Sequence, residues 1–130
     1  MKDKYFLIID SEEYQLQIDE KAEINNDILS HVPIRGEAKN IEGEIFYMVD
    51  IDISFNGREK EVFNIGDIVY WRSEKSRKFA IAIFYGNTKF GMGNAPRAAS
   101  PCIKFASIIG DFSNLKSVSS GTRIEIIIKN

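Results

Sequence analysis

The sequence predicts a mainly β fold, a small closed barrel of about eight antiparallel strands with one or two short helices. Three observations carry that expectation. Isoleucine occurs 21 times and valine 5 times against only 4 leucines, and β-branched side chains fit a pleated, half-buried surface better than a helix. Apolar and polar residues alternate with period two in several runs, and turn signals separate those runs. Only one stretch carries helical spacing. Many antiparallel strands in a short chain must protect their edges, and closure does so.

The elements follow in order. Tyr5-Phe6-Leu7-Ile8-Ile9 is an apolar run read as a buried strand, and Asp10-Ser11 turns it. Tyr14, Leu16 and Ile18 then alternate with polar neighbours, which completes an opening hairpin with one wet face. Ile24, Ile28 and Val32 recur every four residues, with Asp19 as cap and Glu20 and Glu23 in the first turn. This predicts a helix over 20–31 that Pro33 ends. A connection containing Gly36 leads to a long extended run over 44–55, in which Tyr47, Val49, Ile51, Ile53 and Phe55 share one face. Asn56-Gly57 suits a type I′ hairpin turn, with 58–63 as an edge return strand. Gly66-Asp67 leads into Ile68-Val69-Tyr70-Trp71, and the apolar run 79–85 reads as a central strand. Residues 87–101 have no period and several Gly and Pro, and long loops of this kind are often functional. A strand over 103–110, a helical turn around Leu115 and a last strand over 122–129 complete the chain.

Composition sets the outer limits. At 130 residues the chain is one domain, 1–130. A net charge of -2 gives no global attraction for a phosphate backbone, so nucleic acid is not an expected partner. One cysteine makes no internal disulfide, and one histidine makes no zinc cluster. No metal and no cofactor are expected. No apolar run reaches membrane-spanning length, and Met1-Lys2-Asp3-Lys4 precedes no long signal-peptide core. A soluble, cytoplasmic domain is the expectation.

Five segments in order carry a family resemblance. They are Gly43-Glu44-Ile45-Phe46-Tyr47, Gly66-Asp67-Ile68-Val69-Tyr70-Trp71, Ala82-Ile83-Phe84-Tyr85-Gly86-Asn87-Thr88, Pro96-Arg97-Ala98-Ala99-Ser100-Pro101, and Ile108-Ile109-Gly110-Asp111 with Leu115, Val118 and Gly121. Together they resemble the small prokaryotic cyclophilin-like family of uncharacterised proteins, over roughly residues 5–128. The resemblance implies an eight-stranded barrel of cyclophilin type. It does not imply isomerase activity. True prolyl isomerases carry an arginine in a Phe-His-Arg setting, and none of Arg35, Arg58, Arg72, Arg77, Arg97 or Arg123 has that context.

Candidate site residues fall into groups. Tyr47, Tyr70, Trp71, Phe84 and Tyr85 form an aromatic set on neighbouring strands. They read as a wall for a small apolar group or a peptide side chain, or alternatively as core. Glu44 and Arg97 are retained in the family motifs, and they read as two unrelated surface charges, or as an ion pair or polar rim if the long loop folds over the strand end. The Gly91-Met92-Gly93 loop lacks the strand-to-helix setting of a phosphate cradle and suits a lid better. Cys102 has only His31 as a candidate base, and Ser100 has no triad. Asp50 and Asp52 share a strand face, as a carboxylate pair or as solvent-facing charges.

No set supplies nucleophile, base and orienter together, so no catalytic residue is assigned. The expected function is a binding module for a small molecule or peptide. Its alternatives are an atypical prolyl isomerase with Arg97 as donor, and a subunit or regulator of a larger enzyme. A protein partner or homo-oligomer stays open.

Overall fold

The computed structural model describes residues 4–21, 24–55, 57, 59–86, 88 and 96–129, with the backbone alone for Arg97 and Ala99. The opening hairpin forms as its pattern predicts. β1 (Lys4–Ile9) pairs antiparallel with β2 (Glu12–Ile18), with Leu7 opposite Tyr14 and Tyr5 opposite Leu16. Asp10 and Ser11 both take positive φ, at 51° and 69°, which matches the twist of a two-residue turn.

The helix is shorter than its spacing predicts. α1 spans Asn25–Leu29, with Ile24 at the N-cap and no side-chain cap. Asp19 is held by the sheet instead, because its N–H donates to the Phe105 carbonyl at 2.9 Å. Its carboxylate accepts from the Lys21 N–H, two residues on, a local bond that competes with capping. Ile24, Ile28 and Leu29 bury the expected apolar face.

β3 (Ile34–Glu37) and β4 (Lys39–Ile41) occupy the segment read as a connection, so the two added strands lie there. Their residues show no clean alternation, because Gly36 replaces a side chain where backbones crowd. A Cβ at Gly36 would stand 2.7 Å from Tyr47 Cδ2 and 3.2 Å from the Met48 carbonyl oxygen.

β5 spans Glu44–Val49 only, not the full 44–55 run. Beyond it, the Tyr70 hydroxyl donates to the Ile51 carbonyl at 2.6 Å and accepts from the Ile53 N–H at 2.9 Å. A side chain thus replaces a ladder partner there. The predicted apolar face persists, with Tyr47 and Ile51 buried and Val49, Ile53 and Phe55 packed on the core.

β6 (Lys60–Val62) pairs with β9 rather than returning along β5. The expected hairpin is therefore not formed between those strands, and Asn56 and Arg58 lie outside the described residues. β7 (Asp67–Ser73), β8 (Lys78–Phe84), β9 (Arg97–Ile108) and β10 (Arg123–Lys129) follow, with a single 3₁₀ turn at Ser113–Ser117 around buried Leu115. β9 begins earlier than the sequence indicates and absorbs Arg97–Pro101 of the expected loop. Residues 87 and 89–95, including the glycine loop read as a lid, lie outside the described residues.

The sheet runs β3-β10-β1-β2-β9-β7-β8-β5-β4, with β6 beside β9. A closed eight-stranded barrel was the expectation. Among the described residues the sheet has ten strands, and its hydrogen-bonded path is open between β3 and β4. Those two ends are consecutive in the chain and joined through Ala38 alone. Ala38 is fully buried, donates to the Thr122 carbonyl at 2.7 Å and accepts from the Gly121 N–H at 2.7 Å. No helix among the described residues is long and apolar enough to cross a membrane.

Alternation gives the sheet two apolar faces. The large core takes Leu7, Ile45, Tyr47, Ile68, Tyr70, Ile81, Ile83, Phe105 and Ile126. A smaller cluster of Phe63, Val69, Ala82, Phe84, Ala98 and Cys102 lies on the opposite face, with Phe46 and Trp71 against it. β8 sits between β5 and β7, so its buried run is central as predicted.

Candidate functional site

A half-open cavity of about 270 Å³ lies on that second face. Its floor is explained by residue size at matched register. Ala80 is opposite Met48 on one side and Trp71 on the other, and Ala82 is opposite Phe46 and Val69. Two methyl groups on the central strand lie between taller side chains on both neighbours. A trough follows, because side chains on one face of a sheet stand side by side across strands.

The early part of β9 closes the far wall with Ala98, Ser100 and Cys102. The Trp71 indole N–H donates to the Ser100 hydroxyl and fixes the ring as part of that wall. Phe84 closes one end and stacks on Phe63, with ring centroids 5.3 Å apart and planes 14° apart. Glu44 stands at the same end, opposite Phe84 on β8 and Ile41 on β4. Lys78 borders the cavity from the start of β8.

Electrostatics distinguishes two of these groups. Burial raises the Glu44 carboxyl above the ordinary carboxylate range, because desolvation disfavours the anion. Among the described residues no donor or cation pairs with it. Burial pushes the Cys102 thiol up to about 12, and the Glu44 charge adds to the effect. Its Sγ donates to the Ser100 carbonyl at 3.4 Å. A neutral, buried thiol is a poor nucleophile.

The structure brings together Glu44, Trp71 and Phe84 of the expected site residues. Tyr47 and Tyr70 point into the large core. The Tyr47 hydroxyl donates to the Ile34 carbonyl at 3.2 Å, and burial raises its own pKa strongly. Tyr85 is half-buried and donates to Asn40 Oδ1 at 2.6 Å, away from the cavity lining. The Arg97 side chain lies outside the described residues, so its expected pairing with Glu44 does too. His31 is exposed after α1, whereas Cys102 is buried on β9. Asp52 belongs to an ion-pair cluster, accepting from Arg72 at 2.7 Å and Arg77 at 3.0 Å. The hydrogen bond from Arg72 and the nearby positive charges hold its carboxyl below the usual range.

Sequence reasoning missed Phe46, Met48, Ala80, Ala82, Ala98 and the lining role of Ser100 and Cys102. One signal was present: Ala80 and Ala82 alternate with Phe79, Ile81 and Ile83, so β8 carries a second, small-residue face. Among the described residues no three His, Cys, Asp or Glu side chains gather as a metal site. The lining offers shape, an apolar surface and one desolvated carboxylate.

Comparison with known proteins agrees with the fold. No curated protein matches the chain. Among solved structures, the chain is similar to a hypothetical protein from Archaeoglobus fulgidus whose structure was determined in solution. The TM-score is 0.75 at 23% identity, over 95% of this chain and 92% of that one, and at that identity the likeness speaks to fold alone. The family model described as cyclophilin-like matches residues 4–127, so the chain belongs to the cyclophilin-like family.

Proposed function

We propose that this protein is a single-domain binding module for a small, largely apolar molecule or peptide side chain. One observation carries the reading: an apolar trough of about 270 Å³, floored by Ala80 and Ala82 and walled by Phe46, Met48 and Trp71. Its size is near the lower end of small-ligand sites. Prolyl isomerisation is the weaker reading. It requires a donor aimed at the proline amide, and the expected donor, Arg97, has its side chain outside the described residues. The same reading extends to the architecture. Residues 34–41, bent at Ala38, act as one strand serving both ends of the sheet, which leaves an eight-membered ring with β6 outside it.

The test is a thermal-shift screen of the full chain with small apolar compounds and proline peptides, reading Trp71 fluorescence in parallel. Trp71 is the only tryptophan, so a change in emission reports on the cavity wall. A ligand at a hundred times its Kd adds about 2.7 kcal/mol of stability. A hit that shifts both signals supports the pocket. Hits that leave Trp71 emission unchanged would place binding elsewhere and refute it.

A further inference from the structure

We infer that the cavity selects small amines, molecules with an apolar body and one ammonium group directed at Glu44. The inference rests on the binding-module reading and adds the ligand's charge. Glu44 stands at the end of an apolar trough, with Phe84 and Ile41 as its cross-strand neighbours. Both are hydrocarbon, so neither offers a hydrogen bond. Among the described lining residues the other titratable groups are Lys78 and the buried Cys102 thiol, whose pKa burial pushes up to about 12. Among the described residues nothing donates to the Glu44 carboxylate, although it is partly removed from water.

Each ligand class meets this end of the trough differently. A neutral apolar ligand would strip more water from an unpaired carboxylate, which costs free energy. A carboxylate ligand would add like-charge repulsion in a poorly hydrated setting. An ammonium N–H forms a charge-assisted hydrogen bond with Glu44 and offsets the desolvation already incurred. The hydrocarbon body then lies over Ala82 and Ala80 toward Trp71. Lys78 is the cation in the described lining. It lies six residues from Phe84 along β8, about 20 Å at the usual strand rise. That separation exceeds the screening length at physiological salt, so its repulsion on an ammonium at Glu44 is weak.

The experiment uses three isosteric probes that do not absorb with tryptophan: cyclohexylmethylamine, cyclohexylmethanol and cyclohexanecarboxylate. Each is titrated into the full chain at pH 7, with Trp71 emission and calorimetry as readouts. The amine should bind roughly tenfold or more tighter than the alcohol, and the carboxylate weakest of the three. Glu44→Gln should bring the amine-to-alcohol ratio close to one while retaining alcohol binding, which also shows that the variant is folded. Equal affinity of amine and alcohol for the native chain overturns the inference and leaves the pocket reading standing. So does an unchanged ratio in Glu44→Gln. Failure of all three probes to bind overturns both.

Discussion

Replacing Ala82 by isoleucine tests whether the trough is usable space, because the sign of the stability change depends on it. Ala82 is 6% exposed and lies between Phe46 and Val69. Isoleucine adds three carbons, which contribute at most about 2.4 kcal/mol if fully buried. The cavity is half-open, so the realised transfer lies between about 1.2 and 2.4 kcal/mol, and ordering the side chain returns about 0.5–1 kcal/mol. The net effect is a stabilisation of about 0–2 kcal/mol. For 130 residues the unfolding entropy is about 0.27 kcal/mol/K, so Tm rises by about 0–7 °C. A filled site behaves oppositely: overpacking costs about 1–3 kcal/mol and lowers Tm by about 4–11 °C. Differential scanning calorimetry, checked by urea unfolding, separates the two. A fall of about 4 °C or more would refute the account of the trough.

Other consequences follow from individual contacts. Gly36→Ala places a methyl group 2.7 Å from Tyr47 Cδ2, and Tyr47 is fully buried and tied to Ile34. The variant should lose about 1–3 kcal/mol in urea unfolding, and an unchanged midpoint would show that the β3–β5 approach is looser than described. Cys102, its thiol pushed up to about 12 by burial, should resist alkylation at pH 8 in the folded chain and react on unfolding. Rapid native-state labelling would contradict its burial. Glu44 has a folded pKa raised above its usual 4.5, so the folded state binds the extra proton and stability falls as pH rises through that window. Glu44→Gln should therefore unfold at higher temperature than the native chain at pH 7, with the gap closing as pH drops below the ordinary carboxylate value. A gap that widens in acid would reverse the assigned sign.

Much of the fold was legible because its signals are local and periodic. The β1–β2 hairpin, the buried face of 47–55, the central β8 run and the turn around Leu115 all follow from alternation or spacing. What escaped depends on partners distant in sequence. Gly36 reads as loop chemistry, and only the approach of Tyr47 and Met48 shows why a strand there carries no side chain. Pro101 reads as a breaker, yet it lies within β9. Residues 51–53 have a strand pattern but take their hydrogen bonds from the Tyr70 hydroxyl. The site was half legible for a related reason. Large aromatics attract notice, and Trp71 and Phe84 are walls. The space itself is made by alanines, and an alanine shows as a floor only once its cross-strand neighbours are known.

That pattern bears on why the trough exists. A strand whose outer face met only water would carry polar side chains there, since alternation lets one face stay solvated. β8 instead places Lys78, Ala80, Ala82 and Phe84 on that face, and β9 covers part of it with Ala98 and Cys102. If packing alone were selected, larger residues at Ala80 and Ala82 would fill the gap and stabilise the chain, as the isoleucine estimate indicates. Under the proposed binding reading, the small residues keep a concave apolar site open beside Glu44, whose carboxylate has no partner among the described residues. The argument couples two measurements. Ala82→Ile should gain stability and lose cyclohexylmethylamine binding together, because the same volume serves both. A variant that gains stability yet binds the amine unchanged would place the ligand elsewhere and detach Glu44 from the trough.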